Sequence, residues 1–276
     1  MKFGAHVSIA AGIYKAPERA SSFGCECFQM FTRSPRGGNP PKLDKETVDT
    51  FIENCEKYKL SDYYVHTPYF INFASEKSDI RESSIRIVKE ELERSDLLRV
   101  KYIMTHLGSS KGIDRSLALK RVADGIKEIL DKTNTKTEML LENSAGQGET
   151  IGEKFEELAE ILDHVDNNDL GICIDTAHLF AAGYDLRTEK ALNDLLSEFN
   201  KIVGIDRIRL IHGNDSKVGL AEKKDRHEHI GKGKIGIEGF ESIVCNKHLT
   251  DLDMIVETPP EGVEIDIKTL KKLRKN

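Results

Sequence analysis

Six residues able to hold a divalent metal recur along the chain at similar intervals: His66, His106, Glu142, Asp175, His212 and Glu257, separated by 40, 36, 33, 37 and 45 residues. A lone histidine or carboxylate would read as a core or surface side chain. Each of these six, however, sits at the end of a short apolar run. Imidazole and carboxylate without cysteine suit zinc, manganese or iron, and imidazole favours zinc over magnesium or calcium. His178 follows Asp175 by three residues, and "DRHEH" carries Asp225, His227 and His229 at alternating positions. If that segment is extended, these three share one side, and Arg226 and Glu228 take the other. With His178, Asp225 and His227 the candidates number nine. One catalytic ion takes three or four protein ligands, so nine suit two or three ions, more easily if a carboxylate bridges. Two ions about 3.5–4 Å apart stabilise the attacking and leaving oxygens of a phosphoryl displacement. The chemistry suggested is phosphodiester hydrolysis.

Residues tens of positions apart meet only if the intervening elements bring them to one place. Eight runs rich in Val, Ile, Leu, Phe and Tyr are expected as strands: 2–7, 25–31, 63–68, 102–108, 138–143, 170–176, 208–215 and 253–259. Between them lie stretches such as "RSLALKRVADGIKEILDK", "EKALNDLLSEFNKI" and "EIDIKTLKKLRK", with apolar residues three and four apart as in amphipathic helices. Strand then helix, eight times over, predicts a parallel sheet covered by helices, closed as a (β/α)8 TIM barrel in a single domain over 1–276. The alternative is an open doubly wound sheet, but no GxGxxG follows the first run, which weakens its dinucleotide-binding form. In a barrel, successive C-terminal strand ends ring one mouth, and the six metal-ligand candidates would converge there.

The 276 residues are 38% hydrophobic and 32% charged, without low-complexity segments, as expected of a compact protein with a large core. No stretch of eighteen apolar residues and no leader-like N-terminus occurs, so we expect a cytoplasmic, intracellular protein without a membrane partner. Five cysteines without paired spacing, three of them (Cys25, Cys27 and Cys173) in apolar runs, suggest small core residues in a reducing compartment.

The residues "THLGS" (105–109), "ICIDTAHLFAAGYD" (172–185), "GNDSK" (213–217), "DRHEHIGKG" (225–233) and "VETP" (256–259) resemble the endonuclease IV family, metal-dependent abasic-site endonucleases of base excision repair. The likeness runs from "GAHVS" to the last strand. It implies three zinc ions, with manganese or iron able to fill some sites. His66, His106 and Glu142 would hold the first; Glu142 would bridge to a second held by Asp175, His212 and Glu257; His178, Asp225 and His227 would hold the third. His229 falls outside the set. In the family a hydroxide bridging two metals attacks the phosphate 5' to an abasic site in double-stranded DNA, leaving a 3'-hydroxyl and a 5'-deoxyribose phosphate. "FTRSPRGG" (31–38) lines up with the first recognition loop and makes Arg36 the inserting residue, while Tyr69 and Phe70 stand at the wedge positions. Ser34 and Gly37 stand where many relatives have Asn and Trp, and Lys232 where an acidic residue is frequent. No obligate protein partner is implied, and a monomer fits.

A formal charge of −6 argues against a nucleic-acid partner. Three divalent ions would bring the total to zero and leave the mouth positive, beside Arg33, Arg36, Lys217, Lys232 and Lys234, and the local field guides a phosphate more than the sum does. Two rivals remain. A sugar isomerase or epimerase on the same barrel would have little use for a third metal site, and a non-catalytic DNA-binding barrel would not need an intact ligand set.

Overall fold

The eight apolar runs become eight strands because each is buried on both faces, as parallel strands under helices are. In the computed structural model, which describes residues 1–274, they are β1 (Phe3–Val7), β2 (Cys27–Met30), β3 (Tyr63–His66), β4 (Tyr102–Thr105), β5 (Glu138–Glu142), β6 (Gly171–Asp175) and β7 (Ile208–His212). Two short strands follow, β8 (Asp215–Ser216) and β9 (His227–Glu228), and then the last barrel strand, β10 (Asp253–Val256). All eight barrel strands pair in parallel and close in the order β1-β10-β7-β6-β5-β4-β3-β2. Closure removes the open-sheet alternative. The stretch expected as the final helix ends at Lys275, which with Asn276 lies outside the described residues.

The helices are α1 (Ala16–Ser22), α2 (Lys45–Lys57), α3 (Ser78–Leu97), α4 (Arg115–Asp131), α5 (Phe155–Val165), α6 (Thr176–Ala182), α7 (Glu189–Ile202), α8 (Gly236–Cys245) and α9 (Val263–Leu273). Side-chain caps start several of them: Asp44 accepts from the Thr47 amide at 3.0 Å, Asp114 from Leu117 at 3.1 Å and Thr188 from Ala191 at 3.2 Å. The short α6 begins directly at the end of β6, with Asp175 as its cap.

Two apolar layers result. One lies between strands and helices. The other fills the barrel axis with Cys27, Tyr64, Tyr102, Met104, Leu140, Cys173, Leu210 and Ile255. Gly4 completes this inner layer where β1 and β2 approach so closely that a Cβ would lie 2.1 Å from the Cys27 carbonyl oxygen.

Candidate metal centre

Period-two alternation decides which side chains reach the axis above that inner layer. Two residues on from Tyr64, Met104, Leu140, Cys173, Leu210 and Ile255 come His66, His106, Glu142, Asp175, His212 and Glu257. The same count on β1 and β2 gives His6 and Gln29, polar residues that sequence reasoning did not single out. Every strand of the barrel therefore delivers one polar side chain to the C-terminal mouth, where barrel enzymes assemble their active sites.

Glu142 occupies the middle of the ring. Its Oε2 lies 2.9 Å from His66 Nε2 and 3.3 Å from His106 Nε2. Its Oε1 lies 3.1 Å from His212 Nδ1 and 3.5 Å from His178 Nδ1. Glu257 Oε2 is 3.4 Å from His212 Nδ1. Farther out, Asp225 meets His178 Nε2 at 3.3 Å and His227 Nε2 at 3.1 Å, and His227 Nε2 is 3.6 Å from Asp175 Oδ2. One donor atom per residue falls within 4.8 Å of the others in three sets: His66, His106 and Glu142; Glu142, Asp175, His212 and Glu257; and Asp175, His178 and His227. Asp175 thus borders the third set as well as the second, a sharing that the resemblance did not imply.

Neighbours fix which nitrogen is free in two of the imidazoles. His66 Nδ1 donates to the Thr67 carbonyl at 2.6 Å and His178 Nδ1 to the Asn143 carbonyl at 2.9 Å, which turns both Nε2 atoms to the mouth. Asn214 donates to Asp175 Oδ2 at 2.7 Å and accepts from the Glu257 amide at 2.8 Å, and Asn143 Oδ1 accepts from the Asp175 amide at 2.6 Å. Neither asparagine was anticipated from sequence. Both follow a metal-ligand candidate or a strand end by one or two residues, which is the signal that would have found them.

The charges demand a cation. Burial pushes the Glu142 carboxyl up, but His212 and His106 outweigh it and hold it well below the carboxylate range. Burial raises Glu257 too, yet His212 and His66 hold it down at about 2. Burial lowers the histidines, whereas Asp175, Asp225 and Glu142 keep His178 well above its usual value, and Asp175 and Asp225 lift His227 to about 9. The carboxylates therefore call for positive charge, from protons or from metal. Three imidazole nitrogens at the mouth, His6 Nε2, His178 Nε2 and His227 Nε2, are buried and make no hydrogen bond among the described residues, although Asp225 oxygens stand 3.3 and 3.1 Å from the last two. Donor atoms that converge without sharing a hydrogen bond fit a divalent ion.

Asp225 and His227 reach the mouth through the loop between β7 and α8. Its base is the β8–β9 pair, Asp215 opposite Glu228 and Ser216 opposite His227. Buried Asp215 accepts the Gly233 and Ile235 amides at 2.9 Å each, which folds the return of the loop. The tip is tied to other loops: the Asp225 amide donates to Gln147 Oε1 at 2.9 Å, and Lys223 Nζ pairs with Glu153 at 2.6 Å. Alternation beyond these residues fails, because β9 is only two residues long. His229 turns away and meets Asp266 of α9 at 2.8 Å, and Arg226 lines the cavity at the mouth with Asp225 instead of facing away from it.

That cavity, of 390 Å³, is lined by His106, Glu142, His178 and Asp225 together with Tyr69 and Phe70. Tyr69 is 63% and Phe70 42% exposed, so neither is an ordinary core residue. Tyr69 stands edge-on against Phe31 at 5.3 Å. Arg36 is exposed in the loop after β2. Arg33, counted from sequence among the free positive charges, is 3% exposed and pairs with Glu91 at 2.5 Å and Glu90 at 2.6 Å, so it anchors the loop to α3 and adds no charge to the mouth.

A family model described as a xylose isomerase-like TIM barrel matches residues 17–273. The chain is 39% identical over 278 residues to a probable endonuclease 4 of Halothermothrix orenii, covering 100% of both. It is 39% identical over 277 residues to a probable endonuclease 4 of Aquifex aeolicus, covering 99% of this chain and 98% of that one. Endonuclease IV from Thermus thermophilus superposes with a TM-score of 0.89 at 32% identity, covering 100% of this chain and 99% of the other. A D-psicose 3-epimerase from Clostridium cellulolyticum reaches a TM-score of 0.72 at 13% identity, covering 100% of this chain and 98% of that one, a likeness of fold alone.

Proposed function

This chain belongs to the endonuclease 4 family, and we propose that it is a DNA-repair hydrolase that cuts the phosphodiester 5' to abasic sites in duplex DNA, leaving a 3'-hydroxyl and a 5'-deoxyribose phosphate. The observation that carries the reading is the ring of imidazoles and carboxylates around Glu142, in which the buried Nε2 atoms of His6, His178 and His227 lack hydrogen-bond partners among the described residues.

We assign three ions to it, zinc first, with manganese or iron able to fill some sites. His66, His106 and Glu142 would hold one; Glu142, Asp175, His212 and Glu257 a second; His178, Asp225 and His227 a third. Bound there, the ions would bring the pKa of water from 15.7 toward about 7 and take up charge on phosphate oxygens. Glu142 joins the first two positions, because its two oxygens face different histidines. The carbonyls of Thr67 and Asn143 keep His66 and His178 in the tautomers that aim Nε2 at the mouth. Tyr69 and Phe70 would wedge into the stack and Arg36 would enter the gap at the lesion, while the cavity behind the wedge takes the extrahelical sugar phosphate. An abasic nucleotide is cheap to extrude because it has no base to unstack. We read residues 1–276 as one catalytic domain acting as a monomer at DNA inside the cell. Among the described residues, no helix is long and apolar enough to cross a membrane.

A sugar epimerase on the same barrel is disfavoured by the convergence of His178, Asp225 and His227, which such chemistry does not need. The test is a duplex carrying one tetrahydrofuran abasic analogue, which cannot be cut by β-elimination. Incision 5' to it, leaving a polymerase-extendable end and lost on metal stripping, is expected. No incision by fully metal-loaded protein would defeat the proposal and turn attention to sugar substrates.

A further inference from the structure

Gln29 of β2 is fully buried and belongs to none of the three sets of metal-ligand candidates, yet its side chain touches two of their members. Its Nε2 donates to Glu257 Oε1 at 2.7 Å and contacts His6 Nδ1 at 2.9 Å, and its Oε1 meets His212 Nε2 at 2.8 Å. Hydrogen-bond bookkeeping fixes the orientation of this amide. Ionised Glu257 can only accept, so the NH2 group must face it, which leaves the carbonyl oxygen for His212. A carbonyl only accepts, so His212 must donate through Nε2, and its Nδ1 turns to Glu142 and Glu257. The remaining amide proton goes to His6 Nδ1. A single neutral side chain thus sets the tautomer of one metal-ligand candidate and the rotamer of another, and no other orientation satisfies all three partners.

We propose that Gln29 is a positioning residue for the second metal position, holding His212 as an Nδ1 ligand and Glu257 in register with it. The inference rests on the metal-centre reading above. Outer partners of this kind typically set metal affinity by about 10–100-fold. Their effect should be local: Gln29 contacts none of His66, His106, His178, Asp225 or His227 through the hydrogen bonds of its side chain.

The test is zinc binding by the full-length protein, followed by competition with a chromophoric chelator and by metal analysis, for the wild type, Gln29→Met and Gln29→Glu. Met keeps the volume without the hydrogen bonds. Glu keeps an acceptor for His212 but sets a carboxylate against Glu257. In both variants one zinc should leave about 10–100-fold more readily, with the remaining ions held as in the wild type. Melting of the metal-free proteins is measured in parallel, since a merely structural role would lower it without changing affinity. Unchanged affinity for every ion in whichever variant folds would overturn the role of Gln29, even if that variant melts lower. A wild-type protein that binds no zinc at these residues would instead overturn the metal-centre reading, and this inference with it.

Discussion

Glu142 brings four histidines together with two oxygens: Oε2 faces His66 and His106, Oε1 faces His212 and His178. Replacing it by Gln keeps the shape and removes the charge that would join the two proposed metal positions. Cleavage by Glu142→Gln should fall by roughly a hundredfold or more, beyond what losing an outer partner costs, while binding of an uncut abasic duplex persists. Gel-shift and single-turnover assays on the same preparation check both halves, and a variant that cuts normally would remove Glu142 from the mechanism. On the proposed reading Tyr69 and Phe70, exposed where they line the cavity, would act on DNA alone. Tyr69→Ala should weaken abasic-duplex binding by an amount near one lost stacking contact, about 1–3 kcal/mol, with zinc content unchanged. Fluorescence anisotropy measures the first and atomic emission the second.

The loop that carries Asp225 and His227 is held as an element by ties to other loops, chiefly Gln147 to the Asp225 amide and Lys223 to Glu153. Asp225 is also the most exposed of the nine metal-ligand candidates, with 45% of its side chain accessible. If three zinc ions bind as proposed, a double variant, Gln147→Ala with Lys223→Ala, should lose one of them to a chelator first and keep the other two, a stepwise release visible in a competition titration. Simultaneous release of all three would contradict an independent loop. The barrel itself was legible because parallel strands are buried on both faces and so write themselves as continuous apolar runs. The six strand-end ligand candidates were legible because ionisable types stand out after such runs. Gln29 and His6 obey the same two-residue count but lie on the first two strands, where a neutral amide and a solitary histidine carry no metal signature in the chain. Arg33 was misread for a different reason: its partners Glu90 and Glu91 are 57 and 58 residues away, and nothing local marks its charge as spent. Arg226 was misread because alternation was extended past a two-residue strand.

At the scale of the whole molecule the two ends of the barrel separate chemistry from stability, the division usual in this architecture. Below the N-terminal strand ends, Arg274 pairs with Glu26 at 2.9 and 3.0 Å, and Lys2 pairs with Asp62. Burial would raise these two carboxyls, but Arg274 and the Phe3 amide outweigh it at Glu26, and Lys2 and Ser61 at Asp62, so both titrate below their ordinary values of 4.5 and 3.8. A depressed folded-state pKa adds stability that is complete above the ordinary value and lost as pH falls through the folded one. Acid should therefore lower the melting temperature below about pH 4, and Asp62→Asn should flatten that dependence while leaving neutral-pH cleavage intact. Thermal melts across the acid range check the sign. At the opposite end carboxylates crowd against histidines, three of which have a buried nitrogen without a hydrogen-bond partner among the described residues, an arrangement that fits metal. Crystals of zinc-loaded protein, measured above and below the zinc absorption edge, test this most directly. Three anomalous peaks are predicted: one among His66, His106 and Glu142, one among Glu142, Asp175, His212 and Glu257, and one beside His178, Asp225 and His227. Peaks only elsewhere, or none touching Glu142, would contradict the account.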